Sequence, residues 1–369
     1  MKKVAIVLNS SWNIFNFRLN LLRSFKDNGY EVVIVAPYDE YTLGLKQEFK
    51  CYDVNISSKG TNPFHDAKTQ YALYKIYKKA KPDVILHYTI KPNIYGTVAA
   101  SVLNIPTINN IAGLGNLFVK QNFLTKLAKR MYKYSQKKAS KVFFQNKDDY
   151  GLFITERLVD KNKCSIIPGS GVDLERFKCE EYKKENNKIT FLLMARIFWN
   201  KGIGEYVEAA KLIQKKYKNV EFQLLGAMGV DNPSAIPKSQ IDAWTKEGLI
   251  NYLGRTDKVE NYIKKADCIV LPSFYREGVP RVLLESGSMS KPLITTNHIG
   301  CKEAVDDKVS GFLCKIKDSD DLADKMEKML NLSEDERLAM GKKGREKMIK
   351  HFDEKIVINK YLDTIKELI

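Results

Sequence analysis

Short runs of apolar and β-branched residues recur along this chain, separated by longer segments with helical spacing, and that alternation limits the fold more than any other feature. In the first half the runs fall at residues 2–8, 31–37, 51–57, 83–89, 106–111, 141–146 and 164–168. A second set begins at Ile189-Thr-Phe-Leu-Leu-Met-Ala-Arg196 and continues at 220–225, 250–253, 268–272, 292–296 and 311–315. Strands that alternate with helices in this way build parallel sheets through right-handed crossovers. The predicted class is α/β, with two doubly wound parallel-sheet domains in series and no close sequence repeat between them. At 369 residues each domain can bury a core of its own. Ligands are then expected beyond the carboxyl ends of the strands.

Pro168-Gly-Ser-Gly-Val-Asp173 reads as the hinge between the domains, and the charged run Cys179–Lys188 suits a surface connection. No apolar run reaches membrane-spanning length, and Met1-Lys-Lys-Val-Ala-Ile-Val-Leu8 is too short for a signal peptide, so the expected location is cytoplasmic. The 6 cysteines are scattered without C-x-x-C pairs, and Cys268 and Cys314 fall in strand-like runs as buried thiols do. A net charge of +17 asks for an anionic partner without choosing among nucleic acid, phospholipid and a phosphorylated substrate. Its clearest source is Lys120–Lys141, where Phe123, Leu124, Leu127 and Met131 recur at three- and four-residue steps between Lys126, Lys129, Arg130 and Lys133. Such a helix suits the headgroup region of an anionic membrane, and equally a sheet-covering position with its apolar stripe inward.

The stretch Ser273-Phe-Tyr-Arg-Glu277-Gly278-Val279-Pro280-Arg281-Val-Leu-Leu-Glu285 carries the chemistry. It follows the apolar strand at 268–272 and enters a helix with Pro280 at its first position, so free backbone N–H groups can meet an anion there. Glu277 in the loop and Glu285 about a turn into the helix face one crevice from different heights, where sugar hydroxyls can donate to them. Arg196 and Lys201, in Arg196-Ile-Phe-Trp-Asn-Lys201-Gly202, stand at another loop-to-helix transition of the same domain and can neutralise a departing diphosphate. Gly226 and Arg255, after the next two strands, either shape a base pocket or belong to plain turns.

The first domain offers acceptor-side candidates. Asn9–Arg18 reads as a polar turn, helical from about Phe17, with Asn13 a candidate and Arg18 either able to meet a phosphate or an ordinary surface arginine. His87 and Lys91 close the fourth strand, where a lone histidine is more often a packing or hydrogen-bonded structural group than an acceptor-side one, and Asn109-Asn110-Ile-Ala-Gly113-Leu-Gly115 forms a loop whose Gly113 and Gly115 are donor-side candidates that could let a sugar or pyrophosphate approach the backbone. Asp318-Ser-Asp320 mimics a metal-binding D-x-D but precedes a helical run, so it reads as a cap, and no metal is assigned.

The E-G-x-P-x4-E pattern, in this setting, resembles the signature of retaining glycosyltransferases of family 4. The resemblance runs along the whole chain, through Asn16-Phe-Arg18, Lys59-Gly-Thr-Asn-Pro63, Lys91-Pro-Asn-Ile-Tyr-Gly96, Gly113-Leu-Gly115, Asn232-Pro-Ser-Ala and Gly278-Val-Pro280-Arg281. It is strongest toward bacterial enzymes of capsule, O-antigen and lipid-linked glycan assembly, among them the N-acetylgalactosaminyltransferases that extend undecaprenyl-diphospho-bacillosamine. It implies the GT-B fold, two Rossmann-like domains facing across a cleft: residues 1–171 with the C-terminal helix 352–369, and residues 172–351. It further implies a UDP-sugar donor, HexNAc or a derivative, an undecaprenyl-diphosphate-linked acceptor, an anionic membrane surface, retention of configuration, and no cofactor or divalent metal. Arg196 and Lys201 then hold the donor phosphates, Glu277 the transferred sugar and Glu285 the ribose, with Gly278, Val279 and Pro280 lining the donor. Where many members carry a histidine after the fifth strand, this chain has Asn110-Ile-Ala-Gly113, so backbone groups of 112–115 are the expected substitute. Two other readings compete: a UDP-sugar epimerase such as a UDP-N-acetylglucosamine 2-epimerase, and a nucleic-acid binder suggested by charge alone. No nucleic-acid partner is expected, because the chain lacks basic patches interleaved with stacking aromatics on a recognised nucleic-acid-binding module.

Overall fold

A computed structural model describes residues 1–57, 62–115, 123–180, 182, 187–229 and 232–369. Parts of the runs singled out above, at 59–61, 120–122 and within 179–188, lie outside the described residues, as does the side chain of Leu124. The chain divides into two compact units, Met1–Gly169 with Lys355–Ile369, and Ser170–Glu354. The sequence reading had put these borders at 171/172 and 351/352.

The first unit holds a seven-stranded sheet: β1 (Lys3–Val7), β2 (Glu31–Ala36), β3 (Lys50–Asp53), β4 (Val84–Tyr88), β5 (Thr107–Ile111), β6 (Lys141–Phe144) and β7 (Cys164–Ile166), in the order 3-2-1-4-5-6-7. The second holds six: β8 (Ile189–Met194), β9 (Val220–Leu225), β10 (Asn251–Tyr252), β11 (Cys268–Leu271), β12 (Leu293–Thr296) and β13 (Gly311–Cys314), in the order 10-9-8-11-12-13. Neighbouring strands pair in parallel, with Val7 opposite both Val35 and His87 in the first sheet and Ile269 opposite both Leu192 and Leu293 in the second. Helices cover both faces of each sheet, so the central strands are apolar on alternate and intervening residues alike. Val4 and Ile6 pack with Leu22, Phe25, Tyr361 and Ile365, while Ala5 and Val7 pack with Leu73, Tyr77 and Ala99. In the second unit Phe191 and Leu193 meet Val207 and Met326 on one face, and Leu192 and Met194 meet Leu283 and Met348 on the other.

In each sheet the order of strands reverses once, between β1 and β4 and between β8 and β11. Diverging connections leave a crevice at such a point, beyond the carboxyl ends of the two strands. The loops that the sequence marks as chemical are those that follow these strands.

The segment after β1 differs from the expectation. It is helical already from Ser11, as the helix Ser11–Phe17, because the Ser10 hydroxyl caps it by accepting the Asn13 N–H at 3.3 Å and Ile14 buries beneath it. Arg18 is the break between this helix and the next, Leu19–Asp27. Asp318 does cap a helix, accepting the Asp321 N–H at 2.8 Å. The helix Glu334–His351 begins with a capping box formed by Ser333 and Glu336, and the final helix, Glu354–Leu368, returns its apolar face to the first unit's core through Val357, Tyr361 and Ile365.

Candidate active site

The second unit's reversal point gathers charge. After β8 the chain makes a single turn of 3-10 helix, Trp199–Lys201, and enters the helix Ile203–Lys216 through Gly202. Gly202 has φ +76, and a Cβ there would lie 2.0 Å from the Pro272 carbonyl oxygen, so only glycine lets the loop after β8 press against the loop after β11. Gly300, with φ +80, lets the loop after β12 approach the Gly278 carbonyl oxygen in the same way, at 2.1 Å from where a Cβ would stand. These two contacts clamp the loop 272–280 from both sides.

The clamped loop presents Glu277 to Lys201. The two side chains form an ion pair, with 10% and 14% of their surfaces exposed. The Ser273 hydroxyl, fully buried, lies 3.1 Å from Glu277 Oε1 and accepts the Tyr275 N–H at 3.2 Å. The Lys201 ammonium sits 4.9 Å above the centre of the Tyr275 ring. The Tyr275 phenol is pushed up by burial and then by the charge of Glu277, with Arg196 pulling weakly the other way. Arg196 itself is exposed, its guanidinium 4.8 Å from the Phe198 ring centre. Beneath the pair, burial and Glu277 push the Cys301 thiol up to about 12, which leaves it an inert packing group. Ser273 and Tyr275 were not singled out from the sequence as site residues; the Pro272-Ser273 strand ending was the signal available.

Pro280 is the N-cap of the helix Arg281–Ser288, so that helix starts one residue later than expected. Val279 is buried, and Glu285, a turn in, is nearly so and receives the Arg281 Nε–H at 2.9 Å. Arg281 also reaches the Ser170 hydroxyl at 3.2 Å and the Gly171 carbonyl oxygen at 3.5 Å, which ties the helix start to the segment entering this unit. Gly226 donates its N–H to the Gly254 carbonyl at 2.8 Å, joining the loops after β9 and β10, and Arg255 next to it is exposed.

The first unit's candidates separate. His87 is fully buried, as a hydrogen-bonded packing group would be, and not on an acceptor-facing surface. Its Nε2 lies 2.9 Å from the Tyr77 hydroxyl and its Nδ1 3.0 Å from Asn109 Oδ1, and burial pushes its pKa down to about 4. Those partners fix a neutral ring with the proton on Nδ1. Asn110 is buried as well, its amide donating to the His87 carbonyl at 3.0 Å and its oxygen accepting from the Tyr361 hydroxyl. Its side chain therefore points into the fold and not toward a substrate. Gly113 and Gly115, at φ +96 and +55, carry the loop beyond it around the buried Leu114. Arg18 lays its guanidinium 4.7 Å from the Tyr88 ring centre, and the Asn13 Oδ1 is buried without a hydrogen-bond partner among the described residues. Lys91 is ion-paired with Asp66 at 2.7 Å. Along the helix Phe123–Lys138, Lys126, Arg130 and Lys133 are exposed, whereas Lys129 is paired with Glu156 at 2.8 Å.

A family model described as glycosyl transferase 4-like matches residues 3–146, and one described as glycosyl transferases group 1 matches residues 175–347, which contain all four charged residues of the second unit's site. Together the two matches mark the chain as a glycosyltransferase. Both models describe transferases, so the epimerase and nucleic-acid readings fall away. The glycosyltransferase is 29% identical to the N,N'-diacetylbacillosaminyl-diphospho-undecaprenol alpha-1,3-N-acetylgalactosaminyltransferase of Campylobacter jejuni, over 98% of this chain and 97% of that one. It is 28% identical to the UDP-Gal:alpha-D-GlcNAc-diphosphoundecaprenol alpha-1,3-galactosyltransferase of Escherichia coli, over 90% and 86% of the two chains. Among solved structures, a glycosyltransferase from Rickettsia africae superimposes with a TM-score of 0.79 at 20% identity, covering 100% of this chain and 98% of that one. Anabaena Alr3699/HepE, crystallised with UDP and glucose, does so with 0.81 at 16% identity and full coverage of both. These likenesses establish the GT-B fold class.

Proposed function

We propose that this glycosyltransferase moves a sugar from a UDP-sugar to a saccharide carried on undecaprenyl diphosphate, with retention of anomeric configuration and without a divalent metal, in the assembly of a surface polysaccharide, an O-antigen or a protein-linked glycan. The observation that carries the reading is the Lys201–Glu277 pair at the second unit's reversal point. Negative charge builds on the departing diphosphate in the transition state, so two cations placed there act more strongly on that state than on the bound donor. They supply from the protein the positive charge a metal would bring. Glu277, held by Lys201, accepts hydrogen bonds from hydroxyls of the transferred sugar, and Glu285, oriented by Arg281, from the ribose. The two relatives named for undecaprenyl-diphosphate substrates support the acceptor class, and the N-acetylgalactosaminyltransferase among them supports a HexNAc donor.

The acceptor lipid places the reaction at a membrane surface, and the helix Phe123–Lys138 has a face suited to it. Phe123, Leu127 and Tyr134 are 74%, 39% and 58% exposed, beside the exposed Lys126, Arg130, Lys133 and Lys137. The core-facing side of this helix is instead Thr125, Ala128, Tyr132, Ser135 and Gln136. Among the described residues no helix is long and apolar enough to cross a membrane. Incubation with a panel of UDP-sugars and a synthetic lipid-linked acceptor in excess chelator, with the product's anomeric centre read by NMR, tests the reading. Transfer with an α-linked product from an α-linked donor is expected. An inverted product removes the retaining mechanism, and activity that chelator abolishes removes metal independence.

A further inference from the structure

The chain passes between the two units at 169–170 and again at 354–355, and the two passages are bonded to each other. Val172 donates its N–H to the Phe352 carbonyl at 2.8 Å, and Glu354 donates back to the Val172 carbonyl at 3.1 Å, a parallel rung between Val172 and Asp353. Gly171 permits the approach, because at φ +71 a Cβ there would stand 2.4 Å from the Glu354 Cα. All of these residues belong to the second unit.

The helix Arg281–Ser288, which carries Glu285, is fastened to the first passage at both of its ends. Arg281 Nη1 donates to the Ser170 hydroxyl at 3.2 Å and to the Gly171 carbonyl at 3.5 Å, and the Ser288 hydroxyl donates to the Phe177 carbonyl at 2.7 Å. Arg345, on the helix Glu334–His351 that leads to the second passage, donates to the same Phe177 carbonyl at 3.3 Å and to the Ser288 carbonyl. Arg281 also reaches toward the donor site. Its Nε–H donates to Glu285 Oε1 at 2.9 Å, with 17% and 10% of the two side chains exposed. With so little solvent to compete, that charge-assisted bond is strong. A guanidinium is planar and its N–H groups point in fixed directions, so one that holds a carboxylate on one edge and backbone on another cannot turn toward either without shifting the other.

We infer that Arg281 is a positioning residue that couples ribose occupancy at Glu285 to the two paired passages. Hydroxyls donating to Glu285 fix the carboxylate, the carboxylate fixes the guanidinium, and the guanidinium fixes Ser170 and Gly171 and, through Val172, the backbone at 352–354. Ordering one end of such a chain lowers the entropy cost of ordering the other. The inference rests on the ribose contact proposed above for Glu285. Its test is hydrogen exchange of the full chain at single-amide resolution, with UDP and with an analogue lacking both ribose hydroxyls, each at about 100 times its own Kd so that occupancy is equal. UDP should slow the Val172 and Glu354 amides about tenfold, a coupling of ordinary size, and the analogue should not, although both slow the loops 196–202 and 273–280. Arg281→Lys keeps a charge beside Glu285 without the fork, and Ser170→Ala removes the far contact without touching Glu285. UDP should still slow the two loops in both variants, while its effect on the two amides disappears in the first and weakens in the second. A purely structural role for Arg281 would change the exchange of those amides without nucleotide and leave the UDP-dependent difference in place. Equal slowing by UDP and the analogue, or a UDP-dependent slowing that survives in Arg281→Lys, overturns the coupling. The nucleotide comparison needs no variant, so the test stands even where Arg281→Lys does not fold. Failure of UDP to slow either loop would instead remove the donor reading, and the coupling with it.

Discussion

Lys201 and Glu277 hold each other in a place where either charge alone would be poorly solvated. Removing one leaves the other uncompensated, at a cost of about 3 kcal/mol for a mostly buried pair. Lys201→Ala is therefore expected to lower the melting temperature and, separately, to lower kcat by about 100-fold or more, as the loss of one transition-state donor does. The double variant Lys201→Met with Glu277→Leu should regain the stability and none of the turnover. Near-normal transfer by Lys201→Ala at saturating donor, measured well below its melting temperature, would rule out the role. His87 supplies a second residue-scale expectation. Its folded pKa of about 4 lies below the ordinary 6.5, so between those values the unfolded chain takes up a proton that the folded one refuses. Stability is lost as pH falls through that window, by about 3 kcal/mol near pH 4. In His87→Gln the fall in urea-unfolding free energy between pH 7 and pH 4.5 should shrink by about 2 kcal/mol, whatever its absolute stability. An unchanged slope would show that the ring does not stay neutral.

At the scale of elements, the strands were legible because burial on both faces of a parallel sheet forces continuous apolar runs, and β1 to β13 all fall within or beside the runs read from the sequence. The helix Phe123–Lys138 was legible in type but not in orientation. Its Phe123 and Leu127 belong to the apolar stripe that spacing picked out, yet they are exposed, while small and polar residues such as Ala128, Ser135 and Gln136 face the core. Hydrophobic spacing reports a stripe; which side of a helix the neighbouring helices leave room for is decided by their packing. If the exposed face meets lipid, Lys126→Gln with Lys133→Gln should weaken partitioning onto anionic vesicles roughly 30-fold, at about 1 kcal/mol per basic residue. Sedimentation with vesicles at two salt concentrations measures this, and binding that ignores both the substitutions and salt would remove the membrane role. The helix Ser11–Phe17 was missed for another reason, because its Trp, Asn, Ile and Phe residues are weak helix formers and the cap that starts it shows only in the Ser10 hydroxyl's direction.

For the whole molecule, the proposed donor site belongs to the second unit alone, at that unit's strand-order reversal. UDP at about 100 times its Kd should stabilise the unit it binds by about 2.7 kcal/mol. Hydrogen exchange should then slow in the loops 196–202 and 273–280 of the second unit, and not in the loops 9–13 and 89–91 of the first. Slowing confined to the first unit would contradict the donor assignment. From its own letters the chain determined the two-sheet α/β class and the strand positions, and it singled out four charged residues of the second unit as candidates, because these depend on local periodicity and on residues close together in sequence. Only the tertiary structure decided that Lys201 pairs with Glu277 across 76 positions, that Ser273 and Tyr275 support the pair, that His87 and Asn110 are buried, and that Lys91 is neutralised by Asp66. Each of those facts depends on which strand lies beside which, and a loop's composition does not say what a distant loop will bring against it.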